Sequence, residues 1–297
     1  MPCSIPATLF RTEQGAPAPR YLSERGILFE GDCLAILPLL RDDLVDTVFA
    51  DPPFNLGKIY GHRSNDARLE TDYVAWCRQW LAECARILKP GGALFLYNLP
   101  KWNFLLGSYL MEGLGLQFRH AIAVEMKSGL PIVGRLYPAH YSLLYLTKGP
   151  PKTFRKIRTP IELCRHCGGE IRDYGGHRQA MNPAGVNLKD VWTDIPPVRH
   201  WKFKSKQRPA NALSTKLLDR VVEMTTLPGD LVLDPFGGSG TTYAVCEGKH
   251  RRWIGIELDF CDAIVDRLES DTIKPHRNDD IIDEPVLDIS GWPDAAE

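Results

Sequence analysis

The sequence predicts an α/β fold: a doubly wound, mostly parallel sheet with crossover helices. Three observations lead there. From Gly26 onward, short apolar runs alternate with stretches whose apolar residues recur at helical spacing. Two apolar runs end abruptly, one in Asp51-Pro52-Pro53-Phe54 and one in Asp234-Pro235-Phe236-Gly237-Gly238-Ser239-Gly240, as strands do when they deliver a loop to a sheet edge. The 297 residues, 44% hydrophobic and 25% charged, suit one large domain or two smaller ones with a substantial core.

The elements follow in order. Residues 1–20 carry Pro2, Pro6, Pro17 and Pro19 and read as an irregular arm. Ile27–Glu30 reads as a strand, Leu34–Leu40 as a short helix and Val45–Ala50 as a second strand. Between Thr71 and Leu88, apolar residues at helical spacing (Val74, Trp76, Cys77, Trp80, Leu81, Cys84 and Leu88) mark a helix, with Lys89-Pro90-Gly91-Gly92 as its stop. A strand is expected at Ala93–Tyr97, a helix at Trp102–Met111, and a closing strand pair at Phe118–Val124 and Tyr141–Leu146. From Gly149 to Arg208 the pattern dissolves into Pro, Gly, Lys and Arg, and no element is expected. Regularity returns with a helix over Ala212–Met224, a strand Leu231–Leu233, a helix from Thr241, a strand Trp253–Ile256 and a helix Cys261–Leu268. The expected divisions are 1–20, 21–149, 150–208, 209–270 and an acidic tail, 271–297.

Charge is segregated along the chain. Between Ala121 and Ala210 there are 16 Lys/Arg against 6 Asp/Glu, although the whole chain has a net charge of −1. A basic block in an acidic protein suits a phosphate backbone, and Arg199, Lys202, Lys204 and Lys206 are its candidate DNA contacts. No apolar run approaches the length that crosses a bilayer and no signal pattern stands at the start, so a cytoplasmic protein with no membrane partner is expected. Eight cysteines are too sparse for a disulfide framework. Cys164 and Cys167 form a CxxC turn with His177 downstream, a candidate structural zinc site. The alternative is a plain reduced turn.

The two loops suggest chemistry. Glycines let a backbone approach a ligand closely, and Glu257 at the next strand end can accept hydrogen bonds from ribose hydroxyls; together they fit an adenosine-containing cofactor. An exocyclic amine on a base is a poor nucleophile because its lone pair is delocalised. Two acceptors aimed at its hydrogens, the Asp51 carboxylate and the Pro52 carbonyl, would return electron density to nitrogen, with Pro53 holding the turn rigid. Phe54 offers a ring on which an extruded base can stack.

DPPF, DPFGGSGTT and IGIELD, in that order, resemble the permuted β group of S-adenosylmethionine-dependent DNA amino-methyltransferases over roughly Gly26 to Leu268. The resemblance implies a Rossmann-like class I methyltransferase domain with a seven-stranded sheet and an inserted target-recognition region, which here is the basic block. It implies catalysis by Asp51, Pro52, Pro53 and Phe54, and cofactor binding by Asp32, Asp51, Asn211, Leu213, Asp234, Phe236, Gly237, Gly238, Ser239, Gly240, Thr241 and Glu257. Phe54 departs from the usual tyrosine but keeps the ring. The expected activity is base flipping and direct methyl transfer to adenine N6 in duplex DNA, since Asp at position 51 resembles the adenine enzymes; the alternative is cytosine N4. A homodimer and a companion restriction endonuclease are further expectations of the resemblance. A nicotinamide oxidoreductase, a non-catalytic DNA-binding protein and a methyltransferase of RNA or protein glutamine are the rival readings.

Overall fold

Apolar runs too short for helices and buried on both faces must lie inside a sheet, and that is where the strands lie. The computed structural model describes residues 9–12, 15–57, 59–60, 64–65, 67–126, 131, 133–164, 166–170, 175–176, 180–183, 185–198, 212–270 and 281–282. In chain order the first elements are β1 (Tyr21–Leu22), β2 (Gly26–Glu30), α1 (Cys33–Ile36), β3 (Val45–Ala50), the hairpin β4 (Ile59–Tyr60) and β5 (Ser64–Asn65), and α2 (Glu70–Ile87). Next come β6 (Leu88–Asn98), α3 (Pro100–Ser108), β7 (Gln117–Glu125), β8 (His140–Thr147), β9 (Ile157–Thr159), β10 (Val186–Asn187) and β11 (Val191–Trp192). The chain continues through α4 (Thr215–Thr225), β12 (Leu231–Asp234), α5 (Thr241–Gly248), β13 (Arg252–Glu257), α6 (Cys261–Glu269) and β14 (Ile281–Ile282).

One sheet organises the molecule, in the order β1-β2-β13-β12-β3-β6-β8-β7-β11. β2, β13, β12, β3 and β6 run parallel, and β8 is antiparallel to both β6 and β7. The expected seven strands are joined by two-residue edge strands, β1 and β11, which makes nine. From β12 the chain winds one way to β13, and from β3 the other way to β6, so the sheet's switch point lies between β12 and β3.

Helices cover both faces. Trp80, Leu81 and Cys84 of α2 and Leu106 of α3 pack with Val48, Leu94 and Leu96 on one face; Leu217, Val221 and Val222 of α4 and Tyr243 of α5 pack with Phe49, Phe95 and Val232 on the other. Helix α4 is buried throughout Lys216–Thr225. Its charged residues are therefore paired: Arg220 holds both oxygens of Asp194 at 2.8 and 2.6 Å and lies over the Trp192 ring, while Glu223 takes Lys249 at 2.8 Å.

Several expectations need correction. Lys89–Gly92 does stop α2, but it sits inside β6, bulged between the pairs Val45–Leu88 and Thr47–Ala93, with Gly91 at φ 77°. Helix α3 starts two residues early because Pro100 suits a first turn, and it ends in a wide helical turn, Tyr109–Gly113. The basic stretch contains three short strands; β11 extends the main sheet, and β9 pairs with β10 and β14. In the N-terminal arm, Phe10 bridges to Leu40 and is buried.

Candidate active site

Four neighbouring parallel strands end at or next to an acid. β2 ends at Glu30, β13 at Glu257 and β12 at Asp234, and Asp51 directly follows β3. Asp51 and Asp234 flank the switch point. Burial pushes the Asp51 carboxyl well above the usual carboxylate range, and the charge of Asp234 adds to the effect. Burial likewise raises Asp234 to about 7, against the lowering hydrogen bonds from Thr242 and the Phe236 amide, and it raises Glu257.

The turn after Asp51 is fastened by its surroundings. The Pro53 carbonyl accepts from Tyr73 Oη at 2.7 Å, which in turn accepts from Asn98 Nδ2 at 2.9 Å. The Phe54 carbonyl accepts from Trp102 Nε1 at 2.9 Å. Pro52 and Pro53 bring no N–H donors, so the turn has no ladder bonds to lose. Asn55, at φ 56°, closes the following loop by a paired contact with the Arg68 backbone, 3.0 and 2.8 Å.

Phe54 does not stand alone. Its ring lies 5.7 Å from Tyr141 and 6.1 Å from Tyr97, and those two rings are 5.3 Å apart. Burial, then the Asp51 charge, raises both phenols, so the tyrosines stay neutral hydrogen-bonding groups beside the acid. The sequence reading missed both. Tyr97 is the last residue but one of β6 and Tyr141 the second of β8; an aromatic near a strand end was the available signal.

The glycine loop joins β12 to α5. Asp234 braces it, accepting from Phe236 N at 3.0 Å and from Thr242 Oγ1 at 2.5 Å. Gly238 N donates to Glu257 Oε2 at 2.6 Å, and Asp259 N donates to the other oxygen at 3.0 Å. Gly238 and Gly240 take φ 52° and 72°, which side chains resist. A Cβ on Gly237 would lie 2.5 Å from Tyr243 Oη. Phe236 packs edge-on to Trp80 at 4.9 Å. Arg267 Nη1 reaches across to Ser239 O at 2.8 Å and Thr241 Oγ1 at 3.0 Å. Thr241 Oγ1 also donates to the Leu213 carbonyl at 3.4 Å. Asp32 caps α1 by accepting from Leu34 N, and Gly31 N donates to Glu257 O, so that turn adjoins the same strand end.

The structure thus gathers Asp32, Asp51, Pro52, Pro53, Phe54, Leu213, Asp234, Phe236–Thr241 and Glu257 along or beside one edge of the sheet. Asn211, Arg199, Lys202, Lys204, Lys206 and His177 lie outside the described residues. Cys164 and Cys167 share a tight turn closed by Gly168 N to Cys164 O and Cys164 N to Gly169 O. The backbone amides of Cys167 and His166 lower the Cys164 thiol. Among the described residues no group of three or more His, Cys, Asp or Glu is placed to hold a metal. No helix among them is long and apolar enough to cross a membrane.

Comparison with known proteins agrees with this arrangement. Residues 45–264 match the sequence family described as DNA methylase, which groups N6 and N4 enzymes. The Type II methyltransferase M.BamHI of Bacillus amyloliquefaciens is 54% identical over 253 residues, 85% of this chain and 59% of that protein. The chain therefore spans about three fifths of that relative's length. M.HpaI of Haemophilus parainfluenzae, also a Type II methyltransferase, is 29% identical over 81% of this chain and 73% of its own. Among solved structures, the cytosine-N4-specific PvuII DNA methyltransferase superposes with a TM-score of 0.63 at 20% identity, covering 87% of this chain and 92% of that one. The M1.HpyAVI–SAM complex superposes with a TM-score of 0.55 at 20% identity, covering 82% and 98%. These likenesses bear out the fold expected from the sequence, a Rossmann-like class I methyltransferase domain.

Proposed function

The chain belongs to the DNA methylase family, and from that premise we propose that it transfers a methyl group from S-adenosylmethionine to the exocyclic amine of a base flipped out of duplex DNA. The carrying observation is the pairing of a partly buried acid, Asp51, with a cluster of three aromatic rings, next to the buried Asp234 that braces the glycine loop at the sheet's switch point.

The residues present fit a cationic, adenosine-containing cofactor. Asp234 and Asp51 offer negative charge at the crevice, Gly237, Gly238 and Gly240 let the loop backbone turn tightly there with positive φ at Gly238 and Gly240, and Glu257 and the Asp32 turn are proposed to meet ribose and adenine. When bound, S-adenosylmethionine supplies an electrophilic methyl group on a sulfonium. A cation in the crevice draws Asp51 back towards its ionised, accepting form. Asp51 and the Pro52 carbonyl would accept the two hydrogens of the amine, sharpening the nitrogen lone pair, and Asp51 would take the proton released as the methyl group passes from sulfur to nitrogen and the sulfonium is left as a neutral thioether. Phe54 and Tyr141 stack on the base, which offsets part of the few kcal/mol that extrusion costs.

Adenine N6 is the first reading, resting on Asp at position 51. Cytosine N4 is the second, the specificity by which the PvuII neighbour is described. The names of the relatives, both Type II methyltransferases, support a role beside a companion restriction endonuclease. The basic stretch with Arg199, Lys202, Lys204 and Lys206 is proposed to track phosphates. Digestion of DNA from cells producing the protein, followed by nucleoside analysis, decides between N6-methyladenine and N4-methylcytosine. Absence of both, with no tritium transferred from labelled cofactor to DNA in vitro, would end the proposal.

A further inference from the structure

Large apolar side chains on a protein surface are informative when they stand together beside a site. The hairpin joining β7 to β8 places two such side chains at its tip. Val133 is 101% exposed and Leu136 is 92% exposed. Between them, Gly134 at φ 74° makes the turn that projects both outward, with exposed Arg135 alongside. The hairpin stem is fixed: Met126 N donates to Ala139 O at 2.8 Å, and Glu125 pairs with His140. The next residue, Tyr141, is a wall of the aromatic cup, and Ser142 pairs with Asn98 at the end of β6. The tip therefore rises from the sheet edge that carries Asp51.

Its charge selects a partner. From Met126 to His140 the chain has Lys127, Arg135 and His140 and no acid. Apolar side chains flanking a cation suit a surface that is anionic outside and apolar within, which describes stacked base pairs behind a phosphate backbone. Proteins that kink DNA insert aliphatic side chains between base steps in this way.

We propose that the Val133–Leu136 tip is a wedge that enters the duplex at the target pair and holds open the gap left when the base moves into the Phe54–Tyr97–Tyr141 cup. Leu136 and Val133 occupy the space of the lost stacking partner, and Arg135 meets the adjacent phosphate. The inference rests on the proposed reading that duplex DNA is the substrate.

The test compares wild type with Val133→Ser/Leu136→Ser on two duplexes holding the recognition sequence found in producing cells. In one the target base is paired; in the other it faces an abasic site, so that it is already loosened. Tritium transfer to the paired duplex is expected to fall by about tenfold or more, because unstacking is no longer offset, with little loss on the loosened duplex. The fluorescence rise of 2-aminopurine at the target position should fall in parallel. Equal losses on both duplexes, or none on the paired one, would overturn the wedge. So would a change in the variant's molar mass in solution, which would seat a second copy of the chain on the tip. Wild-type protein inactive on both duplexes would instead overturn the substrate reading beneath it.

Discussion

Asp51 has a different environment from an ordinary strand-end acid. It is partly buried beside the fully buried Asp234 carboxyl, so it needs a cation or an amine to become a good acceptor. Asp51→Ala is expected to lower methyl transfer by about 100-fold or more while cofactor still binds, checked by tritium transfer and calorimetry on the same preparation. Comparable losses in both would make the residue structural instead. Phe54→Ala should weaken transfer by about 1–3 kcal/mol in transition-state terms, whereas Phe54→Tyr keeps the ring and the rate. A tyrosine variant as poor as the alanine one would count against stacking. Asp51 and Phe54 were legible in the sequence because their signal is contiguous: four residues that can neither extend a strand nor start a helix. Tyr97 and Tyr141 were not, because they lie 44 residues apart and meet only through the pairing of β6 with β8. No local pattern encodes that register.

At the scale of elements, helix and strand periodicity revealed most of the αβ alternation. It failed where strands shrink to two or three residues, as in β9 to β11, since a period of two needs several repeats to be visible. The β12–loop–α5 unit was legible from its glycines, but the protonation of its brace was not. Asp234 titrates near 7 in the folded chain, well above its unfolded value. Between about pH 4 and about pH 7 the folded chain holds a proton that the unfolded chain has lost, so this group's contribution to stability is full at the acid end and is lost as pH rises. The melting temperature of cofactor-free Asp234→Asn, relative to wild type, should therefore climb from about pH 5 to about pH 7 and then level off. A pH-independent difference would show that Asp234 is ionised throughout. Cofactor affinity should move the other way in wild type, rising over the same range as the carboxyls ionise to meet a cation. Calorimetry at the two ends of the range measures it.

For the whole molecule, the sequence order conceals an interlock. β13 and β12, from the last third of the chain, lie between β2 and β3, from the first fifth. The stretches on either side of residues 150–208, expected as two halves of one domain, contribute interleaved strands to this one sheet. Residues 1–208 made alone leave β2 and β3 with open inner edges and are expected to be insoluble. Made together with residues 209–297, they should recover cofactor binding, since α4 and both strands slot into a waiting sheet. A soluble, cooperatively melting 1–208 fragment would contradict this.

The same interlock sets a timetable for biosynthesis. A ribosome releases β2 and β3 early, but the two strands that join them emerge only about 180 residues after β3, so the nascent polypeptide carries a sheet it cannot finish throughout that interval. Slow passage through the codons between β3 and β13 would prolong that exposure, and chaperone holding in this interval is the natural safeguard.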